Sequence, residues 1–114
     1  MVPVTGGQTL MEHVGRLSTG NTDVSLAHMT VSGAWVESWR RAEHEEVVLV
    51  LKGVLTIEHD AGMMQAHAGQ SVVVPPGRRL RHSCGPTGAE FVSVCLPAYS
   101  PESAHVESSI DPRM

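Results

Sequence analysis

Between Asp23 and Leu96, glycine and proline cut the chain into short β-rich segments, and turn signals fall between them. Asp23 to Ser32 alternates Val24, Leu26, His28 and Thr30 against Ser25, Ala27, Met29 and Val31. Trp35 to Arg40 follows, then Glu46 to Lys52, which is almost continuously apolar. Gly53 interrupts that run briefly before Val54 to Glu58. Asp60-Ala61-Gly62 is a hairpin signal, because Asp and Gly tolerate the positive φ of tight turns. Met63 to Ala68 forms the return strand, with Met63 and Met64 read as flexible core filling. Ser71 to Val74 is a buried strand stopped by Pro75-Pro76-Gly77, since proline cannot donate to a ladder. Leu80 to Cys84 and Phe91 to Leu96 complete the set. About eight such strands cannot bury their apolar faces as one open sheet, whereas a double sheet or barrel does bury them. One helix start stands out: Ser100 as cap with Pro101 at the first helical position.

A chain of 114 residues is a single domain with one modest core. Its net charge is -4, and its densest basic cluster is Arg78, Arg79 and Arg81. That excludes a dominant basic face of the kind nucleic acids require. No apolar run approaches the roughly 20 residues that span a bilayer. The start MVPVTGGQTLMEH lacks a basic segment followed by an apolar one, so a cytoplasmic location is expected. Two cysteines, Cys84 and Cys95, are read as reduced thiols.

Two blocks carry a recognisable spacing. One runs from Gly33 through Glu46 to Gly53, the other from Gly69 through Pro75 and Gly77 to Cys84. This resembles the two signature motifs of the cupin superfamily. The first reads Gly, five residues, His-x-His, three or four residues, Glu, six residues, Gly. The second reads Gly, five residues, Pro-x-Gly, two residues, His, three residues, Asn. The resemblance implies an all-β fold, a single cupin jelly-roll β-barrel with little helix. Its core would cover about 22–97, with an N-terminal arm at 1–21 and a tail at 98–114. It also implies a homodimer.

In metal-binding cupins, three histidines and the glutamate hold one divalent ion. Here the histidine places carry Trp39, Arg41 and Leu80, and only Glu46 stands in register. A carboxylate inside an apolar barrel is costly unless paired, so Glu46 needs a partner. Arg41 is one candidate, putting a fixed guanidinium where the ion would be. A displaced metal set is another. His44 lies two residues before Glu46, and His82 lies two after Leu80, so strand alternation puts them on the same faces. His44, Glu46 and His82, with Cys84 on the same parity, would suit one divalent transition metal. The alternative is no metal at all. The segment His44 to Gly53, together with Cys95-Leu96-Pro97 and the tail to Glu107, is similar to ectoine synthases, which are cupins with a tail over the barrel mouth.

The leading expectation is a pocket for a small, anionic organic molecule, with lyase, isomerase or cyclase chemistry. Glu46 would be base or ligand, His82 ligand or acid, and Arg41 the contact for the anionic end. Trp39 and Leu80 would wall the pocket, and Tyr99 and His105 would form a lid. The alternative is a non-catalytic binding or sensing module, which loss of the three motif histidines favours. A barrel that serves only assembly is a third possibility.

Overall fold

The computed structural model describes residues 2–4 and 8–107. Ten strands and one short helix follow in chain order. They are β1 (Val2–Val4), β2 (Gln8–Val14), β3 (Ser25–Val31), β4 (Trp35–Val36), β5 (Arg40–Arg41) and β6 (Glu45–His59). Then come β7 (Gly62–His67), β8 (Ser71–Val74), β9 (Arg79–Cys84), β10 (Ala89–Leu96) and α1 (Pro101–Ala104). The strands pair in the order β1-β2-β3-β10-β6-β9-β4, with β5 also on β9 and with β7 and β8 also on β6. All the pairings are antiparallel. The architecture is the expected all-β jelly roll.

Strand β6 holds the two halves together. Its first half pairs with β10 and β8, and its second half with β7 and β9. Gly53 marks the change, at φ +77. A side chain there would put its Cβ 2.5 Å from the Gly88 carbonyl oxygen, and one at Gly88 would come 2.1 Å from that of Val31. Only glycine lets these backbones approach so closely.

Val48, Val50, Leu55 and Ile57 of β6 face inward and meet Val31, Ala66, Cys84, Ala89 and Phe91. Each fully buried branched side chain contributes roughly 1.5–3 kcal/mol relative to exposure. The N-terminal region differs from the expected arm. Strand β2 is an integral member of the sheet, pairing with β3 from Gln8↔Val31 to Val14↔Leu26. Met63 and Met64 are corrected from core filling to solvent-facing residues, 68% and 45% exposed. Within strand β7 only Ala66 is buried.

After β10 the chain crosses the open end of the barrel. Ala98 N–H donates to the Thr22 carbonyl at 3.1 Å, and Tyr99 N–H donates to Ser25 Oγ at 2.9 Å. Ser100 caps α1 by accepting from Ser103 N–H at 3.1 Å, with Pro101 in the first turn as the sequence predicts.

Candidate functional site

Strand alternation decides which side chains enter the barrel. In β9, Leu80, His82 and Cys84 are buried, while Arg79, Arg81 and Ser83 are half-buried. Arg40 sits opposite Leu80, and Arg41 sits opposite Arg79. Directly opposed residues of antiparallel strands share a face, so Arg40 turns inward with Leu80 and Arg41 turns outward.

Arg40 lies between two carboxylates. Its Nη2 donates to Glu46 Oε1 at 2.7 Å, and its Nη1 donates to Glu37 Oε1. Glu46 is a buried residue of β6, and its other oxygen accepts from Ser93 Oγ on β10. Glu37 is fastened to His82 three ways. Glu37 N–H donates to the His82 carbonyl at 3.0 Å, His82 N–H donates to Glu37 Oε1 at 2.8 Å, and His82 Nδ1 stands 3.0 Å from that same oxygen. The imidazole also meets Phe91 edge-on, with ring centroids 5.9 Å apart.

Burial pushes the Glu37 carboxyl up, but the charges of His82 and Arg40 outweigh it and hold the group at about 2. Glu46 follows the same pattern: burial raises it, and Arg40 and His82 bring it below the ordinary carboxylate range. Arg40 resists burial through Glu46 and Glu37 and stays charged. One guanidinium thus stands between two carboxylates and matches their charge with the help of His82.

The cluster floors a cavity of about 520 Å³. Leu10, Ala27, Met29 and Phe91 supply apolar wall, and Tyr99, Ser100 and Pro101 of the tail also line it. His44 lines the same cavity, 3% exposed, with Tyr99 edge-on at 5.9 Å between ring centroids. Burial lowers His44, so it is neutral near pH 7. Among the described residues, two buried side-chain atoms lack a hydrogen-bond partner: His44 Nδ1 and His82 Nε2. Both belong to residues lining this cavity.

Four of the expected site residues therefore border the cavity: His44, Glu46, His82 and Tyr99. The others do not. Arg41 is exposed and donates to the Gly77 carbonyl at 2.8 Å, so the guanidinium beside Glu46 belongs to Arg40. Trp39 lies outside the cavity beneath Arg79 and Arg81, whose guanidinium carbons stand 4.1 and 4.7 Å from its ring centroid. Leu80 is buried but does not line the cavity. His105 is exposed, takes a left-handed conformation at the end of α1 and pairs with Glu43. Cys84 donates to the Gly33 carbonyl. Glu37 and Ser93 were not singled out from sequence, and Arg40 was named only with Ala42, as the pair that would face inward if Trp39 and Arg41 did not.

The cupin family implies a metal, and the residues present do not fit one. Among the described residues, no group of three His, Cys, Asp or Glu side chains is placed to hold an ion. His82 Nε2 stands 3.9 Å from Glu46 Oε1, and the Arg40 guanidinium already occupies the space beside both carboxylates. A second cation there would meet the first.

Known proteins agree with this architecture. KdgF from Halomonas sp. superposes with a TM-score of 0.75 at 13% identity, over 89% of this chain and 88% of that one. Oxalate decarboxylase from Bacillus subtilis superposes with a TM-score of 0.75 at 19% identity, over 90% of this chain and 28% of that one. The Clostridium difficile EutQ protein gives 0.67 at 20% identity, over 82% and 70%. At these identities the likeness is one of fold. In sequence, the chain is 37% identical over 109 residues to a Myxococcus xanthus protein named endoribonuclease YbeY, spanning 95% of this chain and 37% of that protein. The model of the cupin domain family matches residues 27–95, more than half of the chain. With both glycine blocks in register and the barrel formed around them, the chain belongs to the cupin domain family.

Proposed function

We propose that the barrel cavity binds a small organic molecule with an apolar body and one uncharged polar end, held by His44 and His82. The observation that carries this reading is the pair of buried imidazoles, each with one unpartnered nitrogen, on residues that line one cavity. A buried polar atom left unpaired costs about 1–3 kcal/mol, which a bound group recovers. The volume of about 520 Å³ falls within the roughly 300–1,000 Å³ typical of small-molecule sites.

The expectation of an anionic ligand depended on a free arginine. Arg41 is outside and Arg40 is engaged by two carboxylates. With its cation already matched by two carboxylates, the floor has no spare positive charge for an anion, so the polar end is taken as uncharged. Titration calorimetry with small organic molecules sorted into neutral, anionic and cationic sets tests this. Neutral compounds should bind and lose affinity in His82→Ala, whereas preferential binding of anions would refute the charge argument.

A non-catalytic sensing module is the second reading. It is favoured by the engagement of Arg40, whose charge is already matched by two carboxylates. The Myxococcus relative's name implies RNA cleavage, but this chain spans 37% of that protein. With a net charge of -4, RNA is not the substrate we propose. A homodimer is supported by one feature of the outer face. Leu26, Val94, Val47 and Val73 form a cross-strand row through β3, β10, β6 and β8, with Val73 58% exposed. Sedimentation of the chain and of Val73→Lys tests that assembly.

A further inference from the structure

Resting on the pocket reading, we propose that the uncharged polar end of the ligand is a group that both donates and accepts a hydrogen bond, a carboxamide or a hydroxyl, and that Glu37 and Arg40 select it.

The unpartnered nitrogens of His44 and His82 are buried. The Arg40 and Glu37 side chains border the same cavity and stay 11% and 21% exposed, so their ion pair supplies polar surface that a ligand can reach. Every contact of the Glu37 carboxylate falls on one oxygen. Oε1 accepts from Arg40 Nη1 and from His82 N–H at 2.8 Å, and His82 Nδ1 stands 3.0 Å from it. Among the described residues, Oε2 has no partner. The carboxyl is held at about 2, so near pH 7 it is ionised and only accepts. Its position is fixed, because the Glu37 N–H also donates to the His82 carbonyl at 3.0 Å. Arg40 has the opposite surplus. Nη1 serves Glu37, and Nη2 serves Glu46 at 2.7 Å and stands 3.5 Å from His82 Nδ1. A guanidinium has more N–H donors than these contacts use, and no acceptor. Side by side, the pair therefore offers one spare acceptor and spare donors.

Each half of the pair rejects a different class of ligand. A carboxylate ligand only accepts, so it would set like charge against Glu37 Oε2. An ammonium only donates, so it would set like charge against Arg40. An ester, an ether or a tertiary amide can accept from Arg40 but leaves Oε2 without a donor, which in a largely apolar cavity is costly. A primary carboxamide satisfies both: its oxygen accepts from Arg40 and its N–H donates to Oε2. A hydroxyl does the same through a single atom. Both bonds involve a charged protein group, which makes them stronger than neutral pairs. Leu10, Ala27, Met29 and Phe91 line the rest of the space and suit an alkyl body.

A series with one alkyl body tests this on the whole chain by ligand-observed NMR titration: hexanamide, N,N-dimethylhexanamide, methyl hexanoate, 1-hexanol, methyl hexyl ether, hexanoate and hexylammonium. Hexanamide should bind at least about tenfold more tightly than its dimethyl and ester analogues, or 1-hexanol than its methyl ether, and the larger ratio names the group. Both ions should bind more weakly than the preferred neutral compound. Glu37→Gln should reverse the order. Its side-chain oxygen takes the Oε1 place among the donors, and its NH2 takes the Oε2 place, so the variant should favour the ester and the dimethyl amide. A merely structural role for Glu37 would weaken all the compounds without reversing them. If the variant does not fold, the ratios on the native chain decide. Equal binding of the amide and its ester and of the alcohol and its ether overturns the inference and leaves the pocket standing. Tightest binding of either ion overturns it, and tightest binding of hexanoate refutes the uncharged end as well. Absence of binding by every member also overturns it, and the charge-sorted titration then decides the pocket separately.

Discussion

Arg40 and Arg41 are adjacent in sequence and opposite in fate. Arg40 Nη2 bonds Glu46 Oε1 at 2.7 Å inside the barrel, and Arg41 Nη1 bonds the Gly77 carbonyl at 2.8 Å outside it. The register of β5 on β9 makes the difference, and the electrostatics of the cavity follow from it.

Removing the inner arginine should be far more damaging than removing the outer one. Arg40→Ala leaves Glu37 and Glu46 buried without their counter-charge, a loss of about 3–5 kcal/mol. Arg41→Ala removes one exposed contact and should cost under about 1 kcal/mol. Urea denaturation of the two variants checks this. Equal losses would contradict the assignment.

Acid should unfold the protein through the same cluster. Glu37 is held at about 2 against an ordinary 4.5, and Glu46 is also lowered. A depressed carboxylate gives stability that is complete above its unfolded pKa and is lost as pH falls through its folded pKa. Stability should therefore decline from about pH 4.5 down to about 2. Glu37→Gln should flatten that decline, measured by chemical denaturation across pH.

Cys95 predicts a loss at the alkaline end. Burial and the Glu46 charge push its thiol up to about 11 from an ordinary 9.0. A raised thiol favours the fold below its unfolded pKa, and that contribution fades as pH climbs from about 9 to 11. Cys95→Ala should remove this part of the alkaline transition.

Gly88→Ala should be costly for a backbone reason. The residue sits at φ +76, and an added Cβ would fall 2.1 Å from the Val31 carbonyl oxygen. Left-handed strain alone is about 1–2 kcal/mol, and the clash adds to it. A thermal midpoint unchanged from that of the native chain would contradict the strand packing.

Divalent metal should not stabilise the native chain. Manganese, nickel or zinc should leave the melting temperature unchanged, and so should EDTA. One equivalent of tightly held ion by elemental analysis would contradict the guanidinium-filled floor.

The barrel was legible because glycine spacing and alternation are backbone properties, and Gly53 in β6 and Pro75 after β8 mark strand changes in the sequence itself. Glu46 and His82 were legible for the same reason, each at or two residues from a motif position. The Arg40 assignment was not. Either neighbour satisfies the motif's variable gap, and only the pairing with Leu80 fixes parity. Glu37 was hidden because it precedes β5 in an irregular stretch and reaches His82 through tertiary contact. Met63 and Met64 were misplaced because an edge hairpin has only one face on the core. His105 was read as a lid from proximity to the tail, yet the left-handed turn after α1 carries it outward to Glu43.

The most direct test is a side-chain nitrogen NMR titration of His44 and His82 with a neutral small-molecule fragment library. Binding fragments should move both imidazoles together, with the strongest changes at His44 Nδ1 and His82 Nε2. Fragments that bind while leaving both rings unmoved would contradict the account.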